Sequence, residues 1–351
     1  MKIVVIGGGA AGMMAACTAA EHGAKVTLIE RNSQLGIKVN ITGKGRCNVT
    51  NDSEPEALIK NTLTNGRFLY SAFAGLSAQD TMAFFERIGV PLKVERGKRV
   101  FPVSDNARDI TGALKTHLHR LGVTVLQHRV KNIVLKDGVV SGVSLQDGSV
   151  IEADRVILAT GGRSYPRTGS DGDGYRMAQA LGHTVTALRP SLVPLLTEET
   201  TPAQMEGLAL KNVTLTIKKD GKKIFSDFGE MVFTAKGISG PLVLSASAHL
   251  GVKKHTYPYE ALIDLKPALD ADTLDKRLLR DFEENINRDF ANALSNLLPA
   301  KMIPVMIEMC GISARQKVNT ITRAQRENLC RLLKAFPFTV IAAGGWEEAV
   351  V

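Results

Sequence analysis

The glycine run Gly7-x-Gly9-x-x-Gly12 constrains this chain more than any other feature. It follows an apolar β-type run, Lys2–Ile6, and opens an Ala/Met-rich helical stretch, Ala10–His22. A second apolar run, Lys25–Glu30, then closes on an acid. That context predicts a strand–turn–helix–strand unit built for a dinucleotide, not merely a glycine-rich corner. Gly7 permits the tight turn, Gly9 lets the backbone approach a pyrophosphate, and Gly12 lets helix and strand pack closely. The phosphate charge then faces unpaired N–H groups at the helix start, where Ala11 lies. Glu30 is placed to accept hydrogen bonds from ribose hydroxyls, with Arg31 beside it. A carboxylate there also repels a 2′-phosphate, which disfavours NADP in this site.

A chain of 351 residues is long for one domain and implies two or three units. Hydrophobic residues make up 44% and charged ones 23%, which excludes a disordered or collagen-like chain. The uncharged stretch Ile3–Ala20 is long enough to span a bilayer, but its glycines fit a strand-turn-helix better. The same glycines argue against a signal peptide, so the expectation is a cytoplasmic protein without a membrane partner. Cys17, Cys47, Cys310 and Cys330 are scattered, with no C-x-x-C pair for a zinc site or a dithiol. The net charge is +9, and residues 301–334 carry seven Lys/Arg against Glu308 and Glu327. Such a segment reads as a solvated helix face or as a footprint for an anionic partner.

Further along, a Gly/Asn/Thr-rich loop is expected over Arg31–Asn51. Helices are expected at Ala78–Ile88 and Ala107–Leu121, and a strand at Val123–His128. Val130–Leu135, Val139–Leu145 and Ser149–Ala153 form a β-meander joined by Asp137-Gly138 and Asp147-Gly148 turns. Arg155–Thr160 is a continuous apolar strand suited to the middle of a parallel sheet. After Pro190, Lys211–Lys218, Lys222–Phe228 and Glu230–Thr234 suggest an antiparallel unit, and Asp270–Ala335 is mainly helical. Phe338–Ala342 returns to an apolar strand. The expected class is α/β. A Rossmann-like domain (1–190 plus 338–351) is interrupted by a β-rich insert (191–267) and a helical insert (268–337).

The meander followed by Ala159-Thr160-Gly161-Gly162 resembles the glutathione-reductase-like class of FAD proteins, which selects FAD over NAD. That resemblance places Val130 near adenine and Thr160, Gly161 and Gly162 near the cofactor. Gly169, Gly172 and Gly174 lie in a loop without a preceding strand, so no second Rossmann unit dedicated to NAD(P)H is expected. More specifically, the stretch Gly36-Ile37-Lys38-Val39-Asn40-Ile41-Thr42-Gly43-Lys44-Gly45-Arg46-Cys47-Asn48-Val49-Thr50-Asn51 resembles the G-x-K-x-x-x-T-G-x-G-R-C-N-x-T-N signature of a bacterial family. That family includes aminoacetone oxidase and BaiN-type flavoproteins. Arg99–Pro102, Gly172-Asp173-Gly174-Tyr175 and Gly237–Pro241 agree with it, and the likeness runs the length of the chain.

Within the 36–51 loop, Lys38 and Arg46 can offset pyrophosphate charge or simply stabilise the loop. Thr42 and Asn48 offer neutral hydrogen bonds. Cys47 belongs to the same cofactor wall and lacks a resolving partner for dithiol chemistry. Asp173 either binds cofactor or closes a turn. The seven histidines, His255 included, show no metal-ligand spacing, so the chemistry is assigned to the flavin. The resemblance implies an oxidoreductase acting on a small molecule. It is an oxidase of an amine-type substrate using O2, or a double-bond reductase with NAD(P)H binding transiently. An RNA-modifying flavoprotein and a non-catalytic flavin-binding protein are the competing classes. The family's members continue beyond Gly344-Gly345-Trp346 through a segment that returns to the flavin. By resemblance, residues 1–351 alone are expected to bind FAD weakly and turn over little.

Overall fold

In the first unit, Met1–Leu188, successive apolar residues of the first strand face opposite sides of one sheet. The computed structural model describes residues 1–250 and 256–350; His255 and Val351 lie outside the described residues. In chain order the strands of this unit are β1 (Lys2–Ile6), β2 (Lys25–Glu30), β3 (Thr50–Asn51), β4 (Leu92–Glu95) and β5 (Arg99–Pro102). They continue with β6 (Thr124–Gln127), β7 (Val130–Lys136), β8 (Val139–Leu145), β9 (Val150–Glu152) and β10 (Arg155–Leu158). The main sheet is parallel with order β10-β1-β2-β6.

Val5, Val26 and Leu28 pack against the helix α1 (Ala10–Glu21) and the helix Ala107–Arg120, through Met13, Ala16, Ile110 and Leu114. Val4, Ile6 and Ile29 point the other way, onto Val130, Val143 and Leu145 of the meander and onto Met177. Both faces of the sheet are thereby covered, one by helices and the other by the antiparallel β7-β8-β9 sheet. The meander turns follow the sequence reading: Asp137 and Gly138 both adopt positive φ between directly paired Lys136 and Val139.

One strand differs from expectation. Arg155–Thr160 shortens to β10 and takes the edge of the sheet, not its middle. Leu158 is 37% exposed, and β1 is the strand it pairs with among the described residues. A short apolar run cannot by itself distinguish a central strand from an edge strand.

The second unit spans Arg189–Val350. Its strands are β11 (Leu195–Thr197), β12 (Ala209–Lys219), β13 (Lys222–Thr234), β14 (Gly237–Ser239), β15 (Tyr259–Asp264) and β16 (Phe336–Ala343). They close into an antiparallel barrel ordered β11-β14-β13-β12-β15-β16, with β16 also paired to β11. Here the expected division changes. Phe336–Ala343 does not rejoin a parallel sheet; it completes the barrel between β15 and β11. Phe336, Phe338 and Val340 are buried while Pro337, Thr339 and Ile341 are not, which is the period-2 pattern of a barrel wall. The helices Ala271–Glu284, Met302–Cys310 and Arg323–Lys334 share one hydrophobic core with this barrel, so the 191–267 and 268–337 segments are not separate domains. Among the described residues, no helix is long and apolar enough to cross a membrane.

The seating of α1 on the sheet gives a test. A Cβ on Gly12 would stand 1.8 Å from the Gly7 carbonyl oxygen. Helix propensity alone favours Ala over Gly by about 1 kcal/mol. Overpacking against backbone should outweigh it, so Gly12→Ala is expected to destabilise the chain by about 1–3 kcal/mol or more. Urea unfolding measures this; an unchanged or raised midpoint would mean that α1 does not need this close approach.

Candidate cofactor site

The turn after β1 is fixed by backbone bonds before any ligand is considered. Gly7 N–H donates to Ile29 O (2.8 Å), Gly36 N–H to Gly8 O (2.9 Å), and Met13 N–H to Gly9 O (3.0 Å) as the first bond of α1. Gly7 has φ 105°, and a Cβ there would meet Ala159 O at 2.5 Å. Gly9, by contrast, caps α1 in extended conformation, and a Cβ on it would meet nothing within 4 Å. That open space lies over the helix start, where Ala10, Ala11 and Gly12 precede the first intrahelical bond and their N–H groups remain as donors. Free N–H groups at an unobstructed helix start suit an anion such as a pyrophosphate, although Gly9, Ala11 and Gly12 do not line the pocket that Glu30 lines.

Glu30 closes β2 with its carboxylate nearly buried. Oε2 accepts from Gly8 N–H (2.6 Å), and Oε1 accepts from the Asn32 backbone and side-chain nitrogens (both 2.8 Å). A carboxylate has about four acceptor positions, so capacity remains for a ribose hydroxyl. Gly7, Glu30, Arg31, Val130, Thr160 and Asp173 line one pocket together, joined by Arg129 and Asp171. Thr160 sits tightly in this wall: a Cβ on Gly174 would stand 2.2 Å from its Oγ1. Gly161, at φ 76°, faces Ser170 Oγ, and Gly162 faces the Tyr175 hydroxyl.

The 36–51 loop behaves differently. Lys38 Nζ donates to Ser164 O (2.6 Å) and Ser170 Oγ (2.8 Å), and burial lowers its pKa below the usual lysine value. It ties the loop after β10 to the helix Ile37–Ile41. Arg46 lies over the Phe101 ring and pairs with Glu95 and with Asp105 (2.6 Å). Thr42 Oγ1 donates to Val39 O (2.8 Å). The Asn48 amide, oriented by its surroundings, donates to Thr50 O (3.0 Å) and Val100 O (3.2 Å). Cys47 is buried in the core with its thiol pushed up by burial, which disfavours the reactive thiolate. None of these five side chains lines the pocket that Glu30 lines. Their contacts hold the loop against β5 and the loop after β10.

Asp173 opens the helix Asp173–Ala180 and receives Arg129 through Nε (3.0 Å) and Nη2 (2.6 Å). Residues absent from the sequence reading are Asn32, Arg129, Ser164, Ser170 and Asp171. Asn32 alone carried a readable signal, as an amide two positions beyond the ribose acid; the others meet the site only through the fold. The basic 301–334 segment is also clarified. Lys317 pairs with Asp289, Arg323 with Glu327, Arg326 with Asp275 and Lys334 with Asp264, while Lys301 donates to Glu206 O. Its charges largely brace the second unit's own elements. No group of three or more His, Cys, Asp or Glu that could hold a metal occurs among the described residues.

A parallel sheet faced by helices and a meander, with a Gly-rich turn after its first strand and a buried acid closing its second, is a Rossmann-type dinucleotide-binding unit. The chain belongs to the family of the HI0933-like protein Rossmann domain, whose model matches residues 1–346. It is an FAD-dependent oxidoreductase of that family. It is 30% identical over 356 aligned residues to the 3-dehydro-bile acid delta(4,6)-reductase of Clostridium scindens, covering 100% of this chain and 85% of that protein. It is 28% identical to the ribosomal RNA dihydrouridine synthase of Haemophilus influenzae, covering 99% and 84%. To the enzyme of that name from Escherichia coli it is 29% identical, covering 86% and 72%.

The buried carboxylate is the decisive binding group to test. Glu30→Ala removes the ribose acceptor, and charge-assisted bonds of this kind contribute about 1.5–3 kcal/mol. FAD affinity should fall about ten- to a hundredfold, read by fluorescence titration of the deflavinated chain. An unchanged dissociation constant would mean that Glu30 serves only the Gly8 and Asn32 nitrogens.

Proposed function

We propose that this chain reduces a carbon–carbon double bond conjugated to a carbonyl group, with NAD(P)H binding transiently as the electron donor. The observation that carries this reading is the full-length likeness to the delta(4,6)-reductase, at 30% identity. The two relatives of the other name support the same chemistry: a dihydrouridine is a uridine whose carbonyl-conjugated ring double bond has been saturated. A steroid dienone and a uracil ring differ in size and polarity, but both accept hydride at the carbon β to a carbonyl.

When bound, FAD supplies the hydride chemistry. The N–H groups at the start of α1 would hold its pyrophosphate, and Glu30 would accept from its ribose. Lys38, through Ser164 and Ser170, holds the loop after β10, whose Thr160, Gly169 and Asp171 line the same pocket as Glu30. A small, apolar enone is the favoured substrate class. The names of two relatives favour RNA as a second reading, but the 301–334 cations that first suggested it are mostly engaged within the protein.

Anaerobic reduction of the holoprotein by NADH or NADPH, followed by parallel additions, tests this. A steroid dienone is expected to restore the oxidised flavin band faster than air does. Reoxidation only by a uridine-containing ribosomal RNA transcript would establish the second reading. Reduction by an amine with reoxidation only by air would overturn both in favour of an oxidase.

A further inference from the structure

Arg31 and Arg129 both line the pocket beside Glu30, yet each guanidinium is already paired. Arg31 Nη1 lies 2.5 Å from Asp171 Oδ2 and 3.5 Å from Asp173 Oδ2. Arg129 Nη2 lies 2.9 Å from Asp171 and 2.6 Å from Asp173, and its Nε bonds Asp173 at 3.0 Å. These four side chains come from the end of β2, the segment before β7 and the loop leading into the helix Asp173–Ala180. A fifth, Arg176, stands 3.9 Å from Asp173 while bonding Lys131 O and Asn132 Oδ1. With Glu30 included, three cations meet three carboxylates around the place where a ribose would sit.

This balance bears on cofactor choice. In Rossmann sites a free arginine near the ribose-facing acid is what accommodates a 2′-phosphate. Here two arginines stand where such a receptor would be; Asp173 takes two nitrogens of Arg129, and Asp171 and Asp173 both draw on Arg31 Nη1. A phosphate arriving at the 2′ position meets the Glu30 charge beside two cations that carboxylates already neutralise. We infer that Asp171 and Asp173 are specificity-determining residues: by neutralising Arg31 and Arg129 they close the site to adenine nucleotides bearing a 2′-phosphate, the NADP(H) class. Nucleotides with a free 2′-hydroxyl, as in FAD, are retained. The inference rests on the dinucleotide site and not on the reductase reading. It also requires that any NADPH serving as electron donor dock elsewhere.

The test uses ADP-ribose and 2′-phospho-ADP-ribose, which differ only in the 2′-phosphate, as competitors of FAD rebinding to the deflavinated chain. ADP-ribose should compete, and the phosphorylated probe should be at least about tenfold weaker. Asp171→Asn takes from Arg31 its nearer carboxylate and should shrink that preference by about tenfold; adding Arg31→Met to it should restore the preference. Arg31→Met alone leaves Asp171 shared with Arg129 only, adds net negative charge and should widen the preference, so the two single variants move in opposite directions. Equal competition by both probes in the wild-type chain would overturn the inference, as would an unchanged ratio in Asp171→Asn. Failure of ADP-ribose to compete at all would overturn the inference and the site assignment together, whatever substrate the enzyme reduces.

Discussion

The Glu30 carboxylate accepts three hydrogen bonds, from the Gly8 amide and from both nitrogens of Asn32, and most of the first unit's site is arranged around it. A nearly buried charge is costly unless its lone pairs are satisfied, and here the satisfying donors come from two different loops. Gly8 fixes the glycine turn to the end of β2. Asn32 passes the restraint on, donating to Thr168 O as well as to the carboxylate. The loop after β10 is thus held by Lys38 at Ser164 and Ser170, by Asn32 between them at Thr168, and at the far end by Arg31 and Arg129 on Asp171 and Asp173. The cofactor wall is pre-organised by these hydrogen bonds and ion pairs, which reduces the ordering that binding must bring about.

The parts of this arrangement that were legible in the sequence are the local ones. Gly7, Gly9, Gly12 and Glu30 follow from a backbone turn and a strand end within thirty residues, and the hairpin turn at Asp137-Gly138 follows from positive-φ preferences. The helices Ala78–Arg87 and Ala107–Arg120 emerged within a residue of their expected limits, because each has a side-chain N-cap and a clear apolar stripe. What escaped was non-local. Nothing in the run Phe336–Ala343 says whether it pairs with β1 or with β11, and its partners lie more than seventy residues away. Arg46 looked like a phosphate ligand because its neighbours in sequence are glycines. Its neighbours in space are Glu95, Asp105 and the Phe101 ring.

Cations in this protein are a poor guide to its partners for the same reason. Lys38 is half-buried and bonded to three oxygens of two serines, and Arg326 forms a two-pronged pair with Asp275 across two helices. Arginine in particular suits such bracing, since its planar fork matches a carboxylate at both prongs. A count of lysines and arginines along a segment therefore overstates the positive surface that the segment presents to an anion.

The closure of the barrel has a consequence for how such a protein is assembled from parts. Leu195, in the unit's first strand, is paired directly with Ala343, in its last, and Gly344 N–H donates to Pro194 O while Val350 N–H donates to Leu192 O. The first and last described strands of the second unit are hydrogen-bonded neighbours. A unit closed in this way keeps its two ends together, so strain at one end is felt at the other and the barrel opens or holds as a whole. Among the described residues its strands pair only with one another, so its architecture can diverge while the dinucleotide-binding unit stays fixed.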